Sequence, residues 1–243
     1  MKIFCIHGNF QTAKVWQPLE ERIKAEFPDL EMITEDLCAK QFKSFDNWTK
    51  DFCGRVAVQA NAEKSILLGY SLGGRLALHA CIHRPDLWEG VVVVGADPGL
   101  GSSEEKNQQF MKDRNWAERL NIESLEKLVN EWDEQPVFCG IENQAPRNLA
   151  EMDSDRLSQQ FEVFSNGIQQ NLTPKLAELK STPILFLSGE KDQKYQKIGV
   201  GLAELCTMFK SEIIKGAGHR VPWENPNEFF QELGKFIKSL NTC

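Results

Sequence analysis

The chain has 243 residues, enough for one large α/β domain with an insertion or for two small domains. Its hydrophobic content of 41% and charged content of 26% are ordinary for a globular protein, and its net charge of −7 speaks against nucleic acid as the main partner while leaving a small anionic substrate open, because pockets are governed by local charge. No stretch reaches the ~18 apolar residues of a membrane span. Seven cysteines, odd in number and without a C-x-x-C pair, fit free and mostly buried thiols in a reducing compartment, so a cytoplasmic location is expected; the expected assembly is a monomer or weak homo-oligomer.

In chain order, short β-branched runs at 3–6, 31–34, 65–70, 90–95, 184–187 and 212–214 predict strands. Helical patterns at 16–26, 45–61, 72–84, 198–209 and 227–240 fall between them. Val91-Val92-Val93-Val94 has no polar alternation, as a parallel strand covered on both faces requires. The alternation predicts an open, mostly parallel sheet with helices on both faces. The first run, followed at once by His7-Gly8, is too short for a signal-peptide core.

The third strand runs into Gly69-Tyr70-Ser71-Leu72-Gly73-Gly74 and then a helix-forming segment. Strand, G-x-S-x-G, helix is the nucleophile elbow: glycines two before and two after the serine let the backbone fold back without side-chain clashes. Ser71 is thereby held clear of the backbone, at the positive end of the helix it opens.

Residues 99–181 break the strand–helix alternation. They are rich in Glu, Gln, Asn and Lys, contain no convincing strand, and open with a capping-box pattern at Ser102 and Glu105. This segment is predicted to be a helical lid inserted into a core formed by residues 1–98 and 182–243, placed over the C-terminal edge of the sheet where open α/β sheets bind ligands.

A serine elbow needs a base, a group orienting that base, and oxyanion donors. His219, in Gly216-Ala217-Gly218-His219 past the last strand, is the candidate base. Asp192, in Ser188-Gly189-Glu190-Lys191-Asp192, is the candidate orienting acid, giving the chain order Ser, Asp, His. Asp97, at the end of the strand after the elbow strand, is its rival and otherwise a substrate contact or the brace of the turn into the lid; Glu190 is a weaker alternative. The backbone N–H groups of Leu72 and Asn9 are the expected oxyanion donors. His7 is read as a loop-shaping residue. His79 and His83 are one helical turn apart but lack a third ligand, so no metal and no organic cofactor are expected. Arg75, four residues after Ser71, is either a surface ion-pair partner or a cation facing the pocket mouth, where it would hold a substrate carboxylate. Trp132 belongs to the lid, as lid core or as substrate wall.

Taken together, these residues resemble the α/β-hydrolase superfamily, and within it the menaquinone-pathway synthases of 2-succinyl-6-hydroxy-2,4-cyclohexadiene-1-carboxylate (SHCHC), which eliminate pyruvate. The resemblance runs through nearly the whole chain: His7-Gly8, Trp16, the elbow through Arg75, Pro98-Gly99-Leu100, Asp113-Arg114-Asn115-Trp116-Ala117, Trp132 with Gln135-Pro136-Val137-Phe138, Gly189 to Tyr195, and Ala217-Gly218-His219. It implies that Ser71, Asp192 and His219 form a triad, and that Tyr70, Arg75 and Trp132 line the substrate site, with Asp97, Lys106 and Arg114 as further candidates. It also implies a serine that takes a ring proton rather than forming an acyl-enzyme.

The chain departs from that family's pattern in places. Lys106 and Gln109 stand where an early lid Arg-x-x-Arg pair is expected, and no arginine falls within 159–164; Arg147 and Arg156 are offset. Arg220-Val221-Pro222-Trp223 follows His219 in place of a second histidine. Only six residues precede His7-Gly8, too few for the superfamily's leading hairpin, so six strands are expected rather than eight. The competing functional readings are a carboxylesterase or thioesterase using an acyl-serine, and a catalytically idle fold that binds a small ligand.

Overall fold

In the computed structural model, which describes residues 1–240, six strands make one sheet. They are β1 (Lys2–Ile6), β2 (Glu31–Glu35), β3 (Ser65–Tyr70), β4 (Trp88–Val94), β5 (Ile184–Gly189) and β6 (Phe209–Ile214). Their order is β2-β1-β3-β4-β5-β6 and every neighbouring pair is parallel. The helices are α1 (Gln17–Glu26), α2 (Phe45–Gln59), α3 (Leu72–His83), α4 (Ser103–Leu120), α5 (Leu125–Asp133), α6 (Ser154–Val163), α7 (Thr173–Ala177), α8 (Gln193–Leu205), α9 (Val221–Glu224) and α10 (Pro226–Leu240). The expected α/β fold and strand number are both found.

The period-two geometry of a strand sends alternate side chains to opposite faces. Phe4, Ile6, Leu67, Val91, Val93, Ile184 and Phe186 therefore pack with α2 and α3. Ile3, Cys5, Ile66, Leu68, Val92, Val94, Leu185 and Leu187 pack on the other face, with α1 and α10. Both faces of β3 and β5 are fully buried, which explains the unbroken apolar runs. Each large side chain so buried stabilises the fold by about 1.5–3 kcal/mol.

The chain passes from β1 to β2 on one side and then to β3 on the other, so the C-terminal ends of β1 and β3 flank the switch point of the sheet. Four helices, α4 to α7, fill the interval between β4 and β5. The capping box is present: Glu105 N–H donates to Ser102 Oγ and Ser102 N–H to Glu105 Oε2. Ala117, Leu120, Leu128, Val129, Leu157 and Phe161 form a separate apolar cluster around Phe10, which enters from the loop after β1. Phe10 thus fastens these helices to the end of the sheet that carries Ser71.

One predicted helix is displaced. Instead of 198–209, α8 spans Gln193–Leu205, because Asp192 caps it at the front and Phe209 pairs with Ile184 as the first residue of β6. The apolar Met208-Phe209 pair mimics helical periodicity but belongs to the start of a strand. The six described cysteines are free, and burial pushes the Cys53 and Cys81 thiols up to about 12, so both stay protonated. Cys243 lies outside the described residues.

Candidate active site

The elbow has the shape its glycines require. Ser71 sits at φ 52°, ψ −111°, a conformation L-residues seldom adopt. A Cβ on Gly69 would run into the backbone of Gly73, and one on Gly73 into the carbonyl oxygens of Ile6 and His7. The first turn of α3 is therefore pressed against the end of β1, bringing Leu72 N–H and the Asn9 turn to the same end of the sheet as Ser71. Two hydrogen bonds shape that turn: Gly8 N–H donates to Gln11 Oε1 at 2.9 Å, and Leu37 N–H to His7 Nε2 at 3.1 Å. The His7 ring, completely buried, meets the Gly8 carbonyl through Nδ1, in keeping with a loop-shaping residue.

Two further loops are held together as closely. A Cβ on Gly189 would strike the Ala217 and Gly218 carbonyls, and Lys191 N–H donates to the Ala217 carbonyl at 2.9 Å. Glu190, the weaker acid candidate, braces this junction by accepting from Gly216 N–H. The result brings Asp192 and His219 face to face. His219 Nδ1 lies 2.8 Å from Asp192 Oδ2, and His219 Nε2 lies 3.3 Å from Ser71 Oγ. Asp192 Oδ1 also accepts from Tyr195 N–H, so one carboxylate both caps α8 and orients the imidazole. Asp192 and His219 are buried and Ser71 is partly exposed, which leaves the hydroxyl as the reachable end of the chain of hydrogen bonds.

Asp97 goes elsewhere. Its Oδ1 accepts from Gly99 N–H at 3.0 Å, and Lys194 Nζ stands 3.3 Å from its Oδ2, so it fixes the turn into α4. Arg75 is not a surface ion-pair residue. It is buried, and its Nη1 donates to the Phe164 carbonyl at 2.8 Å and to Gln169 Oε1 at 3.0 Å. Among the described residues no carboxylate lies within ion-pair distance of it, and burial pulls its pKa below the ordinary guanidinium value. Asp113 is near enough to counter this in part, but its own carboxyl is pushed up by burial and is engaged by Ser165 Oγ and Gln109 Nε2.

Trp132 packs on Phe10, Trp116, Phe161 and Phe138, with ring centroids 5.0–6.1 Å away. It is part of the aromatic layer of the inserted helices, and Phe138 continues that layer to the His219 ring at 5.8 Å. Tyr70 lies against His219 at 5.5 Å and Trp223 at 4.9 Å. Arg114 is more than half exposed and pairs with Glu118, and Lys106 packs its backbone against Gly167, so neither is tied to the serine by any contact.

Tyr195 and Asp133 carry no site role in the sequence reading. Tyr195 lies tilted against His219 at 4.8 Å, and with Tyr70 and Phe138 it walls the imidazole. Its place three residues after a capping Asp was the available signal. Arg220 is 2% exposed and lies 3.5 Å over the Phe138 ring. It donates to Asp133, which Arg147 also holds through two hydrogen bonds. The offset arginine and the residue after His219 thus meet at one carboxylate.

The profile of the Alpha/beta hydrolase family matches residues 3–232. The 2-succinyl-6-hydroxy-2,4-cyclohexadiene-1-carboxylate synthases of Escherichia coli O1:K1 / APEC and Serratia proteamaculans (strain 568) are each 30% identical to this chain over 96% of it, covering 92% and 91% of their own lengths. Among solved structures, MenH from S. aureus superposes with a TM-score of 0.86 at 23% identity, covering 100% of this chain and 95% of that one. A thermophilic esterase from Thermogutta terrifontis gives 0.80 at 18% identity, covering 100% and 91%.

Proposed function

The chain belongs to the alpha/beta hydrolase family, within the group of the SHCHC synthases, and on that footing we propose that it eliminates pyruvate from a polycarboxylate intermediate of the menaquinone pathway. In this reading Ser71, His219 and Asp192 are the catalytic residues. His219 Nε2 takes the Ser71 proton, and Asp192 holds the imidazole in the matching tautomer and stabilises its charged form. The serine oxygen then removes a ring proton of the substrate. The electrons move through the ring, the C–O bond to the enolpyruvyl group breaks, and protonated enolpyruvate becomes pyruvate. No water is consumed and no acyl-serine forms.

Enolate-like charge on a substrate carbonyl oxygen would be met by the N–H groups of Leu72 and Asn9. Tyr70 and Trp132 would form walls of the substrate chamber, under a lid made by α4 to α7.

The observation that carries this reading is Arg75: a buried cation one helical turn from Ser71 that has no carboxylate paired to it among the described residues. A simple ester pocket has no use for such a group, whereas an anionic substrate repays the cost of burying it. The test is pyruvate release from the pathway intermediate by the purified protein. Release is expected to fall by at least about 10³-fold in Ser71→Ala. Absence of release by the unaltered protein at saturating substrate would remove the reading.

A second reading, a carboxylesterase or thioesterase, is favoured by Lys106 and Gln109 standing where arginines were expected. It predicts a burst of product from p-nitrophenyl esters, followed by turnover limited by hydrolysis of an acyl-Ser71.

A further inference from the structure

A cavity of about 320 Å³ lies between α2, α3 and the chain from 163 to 175. None of the three proposed catalytic residues lines it. Phe45, Ile82, Val163 and Leu172 give it an apolar wall. Lys43 and Lys175 stand at its edge, and among the described residues neither ammonium is in an ion pair. His79 and His83 add two imidazoles from successive turns of α3. The one carboxylate on the lining, Asp46, is already paired with Lys50 at 2.8 Å. In a chain of net charge −7, this cavity therefore collects uncompensated positive charge.

Two polar atoms on its walls have no hydrogen-bond partner among the described residues. Thr49 Oγ1 belongs to a residue 4% exposed, and His79 Nε2 is buried beneath the stacked Phe45 ring, 4.6 Å from the imidazole. Buried polar groups are seldom left unpaired. The α2 N-terminus, at Ser44 and Phe45, lines the same cavity and adds a partial positive charge.

We propose that this cavity binds a small organic carboxylate with an apolar arm, its charged end between Lys43, Lys175 and the α3 histidines and its arm against Phe45, Ile82 and Leu172. The site is independent of the elimination chemistry, since it shares none of the catalytic residues.

The test is titration of the whole protein with 4-phenylbutyrate, followed by amide chemical shifts. Saturable shifts are expected at Thr49, His79 and Ile82, with affinity about tenfold weaker in Lys43→Ala/Lys175→Ala. Both lysines are exposed, so that variant keeps its fold. The neutral amide, 4-phenylbutyramide, is expected to bind at least about tenfold more weakly than the acid. Shifts centred on Ser71 and His219, an unchanged affinity in the double variant, or equal binding of the amide would each overturn the proposal.

Discussion

Arg220, the residue after His219, donates its guanidinium to Asp133 at the end of α5, so the loop that carries the imidazole is tied directly to the inserted helices. Arg147 closes on the same carboxylate at 2.7 and 3.1 Å, leaving two guanidiniums around one acid. Burial lowers the Arg220 pKa, and Arg147 works in the same direction. The arrangement makes Asp133 the pivot of the cluster.

Removing the acid should therefore hurt more than removing one base. Asp133→Asn leaves the buried Arg220 and the half-buried Arg147 without their acid and is expected to cost about 3 kcal/mol. Arg220→Gln leaves the Arg147–Asp133 pair intact and should cost about 1–3 kcal/mol. Urea denaturation of the two variants checks the order, and equal losses would show that the two cations do not share the acid energetically.

Gly95 offers a way to move the imidazole without touching it. It sits at φ 55°, and a Cβ there would lie 2.9 Å from His219 Cε1 and 3.0 Å from Nδ1. Gly95→Ala is expected to displace the ring from Ser71 and Asp192 and to lower kcat/KM by about 100-fold. Much of that loss should appear in kcat. The rate of Ser71 labelling by a fluorophosphonate, measured beside turnover, should fall in parallel.

Arg75 holds the Phe164 carbonyl and Gln169 with one guanidinium nitrogen, which leaves the rest of the fork for a ligand. Arg75→Lys keeps the charge but loses the planar fork. KM for the polycarboxylate substrate should rise by about tenfold in Arg75→Lys and further in Arg75→Ala. Turnover of a neutral p-nitrophenyl ester, by contrast, should change little in Arg75→Lys. Equal losses on both substrates would assign Arg75 a purely structural part.

His79 makes the protein sensitive to acid. Burial, helped by Arg75 and Lys175 and opposed by Asp46, lowers its pKa from 6.5 to about 4. Between those values the unfolded chain binds a proton that the folded chain does not. The stabilisation from this group is thus complete above pH 6.5 and is lost as pH falls toward 4. The full loss corresponds to about 3 kcal/mol. Denaturation midpoints of the unaltered protein and His79→Gln, compared at pH 7 and pH 4.5, should converge at the lower pH if the assignment is right.

The positions of the strands along the chain and the elbow were legible in the sequence because both rest on local rules. Alternating apolar runs specify which segments lie inside a sheet, and G-x-S-x-G specifies a turn that only small flanking residues permit. The displaced α8 shows the limit of that reading. Its start is set by a carboxylate that also holds His219, and its end by pairing of Phe209 with Ile184, a partner 25 residues earlier. Neither influence is visible in a window of helical periodicity.

The sequence by itself determined the α/β alternation and the turn that presents Ser71, since each depends on residues close to one another in the chain. Only the tertiary structure decided between Asp192 and Asp97 as partner of His219, buried Arg75 against the Phe164 carbonyl and Gln169, and drew Arg147 and Arg220 to Asp133. Those outcomes depend on which loops the glycine contacts press together. A distance of 2.8 Å across 27 residues is a property of packing, and no local pattern encodes it.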